Sequence, residues 1–174
     1  MARYIFTFTL ILLAVFSRLL PHPPNIAPIT ALALFGGVYL DKKHMFVVPL
    51  AAMLIGDYFI GFYTGMIWVY ACFIAIGFIG LWLRKHQGIG QTIFGSISGS
   101  LLFFIVTNFG VWASSQMTYP PTVTGLIQCY AAGVPFFRNT LAGDLFYVAA
   151  MFGLYELVKK MIPSLTTEPQ RSEA

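Results

Sequence analysis

Apolar residues fill long runs along this chain, and polar residues gather in the stretches between them. An apolar helix of roughly 18–20 residues, rising 1.5 Å per residue, can cross a hydrocarbon core about 30 Å thick. The runs predict helical spans over Arg3–Leu20, Ile26–Leu40, Met45–Phe62, Met66–Leu83, Ile93–Ala113 and Thr140–Ile162. The second is short, because about 15 residues reach only about 22 Å as a helix. The expected architecture is all-α, a polytopic membrane bundle of six transmembrane helices. It forms one domain over residues 1–163, followed by a polar cytoplasmic tail at 164–174.

Charge gives the bundle a direction. Asp41-Lys42-Lys43-His44, Arg84-Lys85-His86 and Lys159-Lys160 are basic, whereas the alternate connections hold no Lys and only Arg138. Basic connections stay in the cytoplasm. With six spans both termini are cytoplasmic, and Arg18 and Arg138 lie on the outer side. If Ile26–Leu40 does not cross, a five-span arrangement with an outer N-terminus fits equally well. Arg3 and Arg18 then exchange sides.

Composition supports the membrane reading. Only 9% of the 174 residues are charged and 58% are hydrophobic, with mean hydropathy +0.79. Soluble domains carry about 25% charged residues, so the chain cannot cover a water-facing surface. The net charge of +4 is small and scattered, and no nucleic-acid patch emerges. Arg3 precedes an apolar run, but Ser17-Arg18 stands where a leader cleavage site would be, so the run reads as a retained span. Cys72 and Cys129 have no metal-site spacing and read as small apolar fillers. No cofactor motif, metal cluster or phosphate loop appears. Gly95-x-x-x-Gly99 and Ser96-x-x-x-Ser100 put small residues on the fifth span, where helices approach closely. Ala27-x-x-x-Ala31 and Ala71-x-x-x-Ala75 do the same more weakly.

Within this apolar background one pattern occurs twice. Leu54-Ile55-Gly56-Asp57-Tyr58-Phe59 and Leu141-Ala142-Gly143-Asp144-Leu145-Phe146 both read L-x-G-D-x-F. A charge at membrane depth costs about 2.5–3.5 kcal/mol or more, so it faces a partner or a wet cavity. The alternating topology brings Asp57 and Asp144 to the outer leaflet, with Arg18 and Arg138 at similar depth. Two structural ion pairs would account for the four charges, and so would the lining of an outward-opening pocket. His22, Asn25, Asn108, Trp112 and Asn139 fall on the same side. These nine residues are the candidate substrate-binding set, and no catalytic or metal-binding set stands beside them. The stiff Pro21-His22-Pro23-Pro24-Asn25 segment would hold His22 and Asn25 at the mouth. In the long segment Ser114–Asn139, the helical middle Thr124–Tyr130 suits a lid or an interfacial helix. Asn139 and Thr140 would cap the sixth span.

The run from Arg18 to Gly37, containing Pro21-His22-Pro23-Pro24-Asn25-Ile26-Ala27-Pro28, resembles a bacterial membrane family of unknown function. So do Val106-Thr107-Asn108-Phe109-Gly110-Val111-Trp112 and Pro135-Phe136-Phe137-Arg138-Asn139-Thr140-Leu141-Ala142-Gly143-Asp144. That family is similar to the S components of energy-coupling-factor (ECF) vitamin transporters. The resemblance implies six helices in the bacterial cytoplasmic membrane and an outward-facing pocket for a vitamin-like molecule. It also implies a partnership with an energising transmembrane and ATPase module. One departure stands out: S components dock through an Ala-x-x-x-Ala face on the first span, where this chain has Ala14 alone. A structural or assembly protein without ligand is the alternative. An intramembrane aspartyl enzyme using Asp57 and Asp144 is a third reading, although its Gly-x-Gly-Asp signature is absent.

Overall fold

A computed structural model describes residues 2–20, 25–114 and 119–162, with side chains from Ile5 onward. The described chain forms α1 (Ala2–Ser17), α2 (Ile29–Tyr39), α3 (His44–Ile60), α4 (Met66–Lys85), α5 (Ile89–Ala113) and α6 (Val123–Met161). Among the described residues, α4, α5 and α6 are long and apolar enough to cross a membrane. The first three helices are shorter, at 16, 11 and 17 residues.

The shortest helix is the hub. Every residue of α2 from Thr30 to Tyr39 is buried, and α2 touches each of the other five helices. Enclosure by protein on all sides explains its uniformly apolar sequence. Backbone closeness on one side comes from glycine. A Cβ on Gly37 would lie 2.6 Å from the Gly77 carbonyl oxygen and 2.7 Å from Gly80 Cα. A Cβ on Gly80 would meet the Leu34 carbonyl oxygen at 2.7 Å. Helices α2 and α4 therefore meet backbone to backbone, as small residues permit. On another side Pro49 of α3 sits against Gly36. The small-residue contact of the fifth span also forms, with Gly99 facing Thr30 of α2.

Ring and hydrogen-bond contacts set the helix directions. Phe6 at the start of α1 lies 5.8 Å from Tyr155 near the end of α6, and Tyr39 at the end of α2 lies 3.9 Å from it. Tyr39 also donates its hydroxyl to Glu156 at 3.2 Å. Arg84 at the end of α4 donates Nε and Nη2 to the Gly37 carbonyl, and Nη2 to that of Leu40. A cation here satisfies carbonyls that a helix end leaves open. The start of α1 and the ends of α2, α4 and α6 thus share one end of the bundle, together with most of its Lys residues.

Two expectations need correction. Thr124–Tyr130 is no separate lid, and Asn139 and Thr140 cap nothing: α6 runs unbroken for 39 residues from Val123 to Met161 with Pro135 inside it. Its cap is Thr122, whose hydroxyl accepts the Gly125 N–H at 3.1 Å. The continuity has a physical cause in α5. Tyr130 donates to the Ile105 carbonyl at 2.7 Å, Cys129 Sγ to the Asn108 carbonyl at 3.3 Å, and the tilted Phe137 ring lies 4.9 Å from Phe104. These contacts hold the first half of α6 along α5 and outweigh the helix-breaking tendency of one proline. Cys129 accordingly lies in a helix, and both cysteines are free and buried.

Candidate functional site

At the end of the bundle opposite the Lys-rich one, three short helices begin or finish together. The chain leaves α1 in a turn, with the Arg18 N–H on the Val15 carbonyl at 3.0 Å. Arg18 then reaches across to α3, where Nη2 donates to Asp57 Oδ1 at 2.8 Å. The pair is sealed, since the Arg18 side chain is 8% exposed and that of Asp57 is 0% exposed. Tyr70 of α4 donates to the other carboxylate oxygen at 2.8 Å, and Arg18 Nη1 contacts the Met53 sulfur at 3.1 Å. Gly56 makes the reach possible, because a Cβ there would sit 3.3 Å from Arg18 Nη1 and 3.2 Å from Val15. Tyr63, in the loop after α3, is held above the ordinary phenol value by burial, and further by the Asp57 charge, against which Arg18 acts.

The second Gly-Asp pair is built differently. Gly143 of α6 lies against Ile26, where a Cβ would meet Ile26 Cα at 3.1 Å. Asp144 is 1% exposed. Ser100 of α5 donates to its Oδ2 at 2.6 Å, and Thr30 of α2 donates both its hydroxyl and its backbone N–H. Among the described residues no Arg, Lys or His pairs with this carboxylate. One helical turn from Ser100, the buried Ser96 hydroxyl oxygen has no hydrogen-bond partner among the described residues.

Between these two arrangements lies a cavity of about 240 Å³. Arg18 and Asp144 line it from α1 and α6, with Thr30 and Thr140 beside the carboxylate. Phe103, Ile60, Ile29 and Ala27 supply apolar walls, and Asn25 stands among the lining residues. Asn25 has φ of 64°, a left-handed conformation that Asn tolerates better than most residues.

The structure brings together only part of the expected set. Arg18, Asn25 and Asp144 line the cavity, and Asp57 stands one contact behind Arg18. Asn108 and Trp112 do not line it. Asn108 Nδ2 donates to the Phe104 carbonyl at 2.8 Å, and Trp112 Nε1 to that of Pro120 at 3.0 Å. Asn139 is half-buried on α6 and Arg138 is exposed. The Arg138–Asp144 pairing is not formed. Inside one continuous helix six residues turn through about 600°, which leaves these two side chains about 120° apart. His22 lies outside the described residues. Thr30, Ile60, Ser100, Phe103 and Thr140 were missed as site residues. Thr30 and Ser100 carried a signal, a hydroxyl within an apolar run, and each reads equally well as a packing position.

Chemically, the site offers one compensated ion pair and one carboxylate supplied only with neutral donors. Each carboxylate is taken up by its own partners, with no hydrogen bond between Asp57 and Asp144 among the described residues. No group of three or more His, Cys, Asp or Glu that could hold a metal occurs among the described residues. A profile described as Family of unknown function (DUF6580) matches residues 1–165. Neither a curated protein nor a solved structure matches the chain.

Proposed function

We propose that the chain, which belongs to the Family of unknown function (DUF6580), is a membrane protein that binds a small molecule in the Arg18–Asp144 cavity. The observation that carries this reading is Asp144, almost fully buried on a cavity wall with no cation paired to it among the described residues. Ionisable groups at membrane depth mark sites and pathways more often than they serve packing. An apolar cavity with a few convergent polar groups is the usual form of a small-molecule site.

In this reading all six helices belong to the membrane-embedded bundle, and the Lys-rich end faces the cytoplasm. Both termini are then cytoplasmic and the cavity opens outward, as in an S-component-like uptake protein of a bacterial cytoplasmic membrane. The short α2 needs no lipid contact of its own, because protein encloses it. Uptake would draw on an energising partner, since the chain carries no phosphate-binding loop.

Cysteine labelling tests side and access together. Ala27→Cys, on the cavity wall, should react with a membrane-impermeant maleimide added to intact cells. Lys43→Cys should react only after the membrane is opened. The unsubstituted protein is the blank, because Cys72 and Cys129 are 1% and 2% exposed. An inert Ala27→Cys in folded protein would remove the open cavity, and labelling of Lys43→Cys from outside would invert the orientation.

A further inference from the structure

We propose that the cavity takes a small monocationic amine, with its ammonium on Asp144 and its apolar body against Phe103 and Ile60. This rests on the reading of the cavity as a ligand site and adds the chemical class. Charge counting is the first argument. Arg18 and Asp57 form a closed pair at 2.8 Å, and Tyr70 completes the Asp57 shell. Asp144 is then the one unmatched charge at the cavity among the described residues, since Arg138 is exposed elsewhere. A buried charge without a counter-charge is costly in a low dielectric, and a ligand of charge +1 removes the cost. An anion would add to the imbalance, and a zwitterion would leave it as it was.

Hydrogen-bond direction is the second argument. The Ser100 hydroxyl, the Thr30 hydroxyl and the Thr30 N–H all meet Asp144. An ionised carboxylate accepts from all three, and of these groups the N–H can only donate. Ser100 Oγ also lies 3.0 Å from the Ser96 carbonyl, and its single proton serves one acceptor at a time. An ammonium at Asp144 would bring three further donors, for which the Thr140 hydroxyl on the same wall offers an acceptor.

Shape is the third argument. About 240 Å³ lies below the range of roughly 300–1,000 Å³ typical of drug-sized ligands. The occupant is therefore compact. A second ammonium would find no free carboxylate, because Asp57 is fully buried behind Arg18. The Phe103 ring lines the same space and can face a cation.

The test uses the full chain in detergent micelles, with thermal unfolding followed at neutral pH. Phenethylamine and ethylamine are the cationic probes. 2-Phenylethanol, 3-phenylpropionate and L-phenylalanine are the neutral, anionic and zwitterionic controls. At least one amine should raise the midpoint saturably, and each control should bind at least tenfold more weakly. Asp144→Asn should lower amine affinity at least tenfold. If Asp144→Asn does not fold, Phe103→Trp, which fills the cavity and keeps the carboxylate, should abolish the response. Equal binding of 2-phenylethanol, or amine binding that survives Asp144→Asn, would overturn the assignment. So would the absence of a response to both amines. In that last case Ala27→Cys decides what else falls: a reactive thiol leaves a ligand cavity of different chemistry, and an inert one removes the cavity as well.

Discussion

Asp57→Asn is expected to destabilise the folded protein by about 3–5 kcal/mol, the usual penalty for removing one partner of a buried ion pair. The size follows from what stays behind. Arg18 keeps its charge in a place where its side chain is 8% exposed. Its remaining contact there is the Met53 sulfur, a weak acceptor. Tyr70 keeps its hydroxyl donor, facing an amide where a carboxylate oxygen stood. Unfolding in mixed micelles measures the loss. Arg18→Met combined with Asp57→Leu should recover a substantial part of it, because a pair replaced by apolar residues of similar volume is often neutral. Full additivity of the two single losses would contradict a direct pair. Arg18 and Asp144 line one cavity, so a loss well below 3 kcal/mol in Asp57→Asn would mean that the freed guanidinium turns to Asp144. Adding Asp144→Asn would then expose the missing cost.

The second large effect is steric. Gly80→Val places a branched side chain where even a Cβ would lie 2.7 Å from the Leu34 carbonyl oxygen and 2.9 Å from Gly37 Cα. The obstructing atoms are backbone, so no rotamer change can relieve the clash. Helices α2 and α4 must separate, and α2 is the element on which all the others pack. Overpacking of a close-packed core costs about 1–3 kcal/mol and occasionally more, and Gly80→Val should reach or exceed the upper figure. Gly80→Ala should already be harmful. Gly153→Ala supplies the contrast on α6, since nothing lies within 4 Å of its Cβ position. There the ordinary helix preference for Ala over Gly should raise stability by up to about 1 kcal/mol. A Gly80→Val protein as stable as the parent would show that the two backbones are not in contact.

Helix number and most boundaries were legible because apolar runs and basic breaks signal them directly. The sixth helix was not. Gly133 and Pro135 read as a loop when only the local chain is considered, and the contacts of Cys129, Tyr130 and Phe137 with α5 decide otherwise. Once the helix is continuous, Arg138 turns away from Asp144. The error in pairing thus follows from the error in the helix. Of the two Gly-Asp pairs, Asp57 has the basic partner expected of it, and Asp144 has hydroxyls from α2 and α5. Nothing in the local sequence separates these outcomes, since both carry the same pattern. The glycine contact between α2 and α4 was likewise unread. Gly37 and Gly77-x-x-Gly80 lie on different helices, and only their packing joins them.

In the proposed membrane setting, the unequal helix lengths would act on the surrounding lipid. At 1.5 Å per residue α6 is about 58 Å long, whereas α1 and α3 reach only about 24–26 Å, short of a hydrocarbon core of about 30 Å. Ile5, Leu13 and Phe16 on α1 and Val47, Ile55 and Phe59 on α3 are exposed, so lipid tails would meet both short helices. Lipid tails beside too short an apolar surface compress, at a cost of a fraction of a kcal/mol per Å. The bilayer would therefore be dimpled on one flank of the molecule and propped up along the α5–α6 ridge on the other. The dimple would fall where α1 and α3 end, beside Arg18 and Ile60 at the rim of the cavity. A dissolved molecule arriving there would cross a thinner oily layer than anywhere else around the protein.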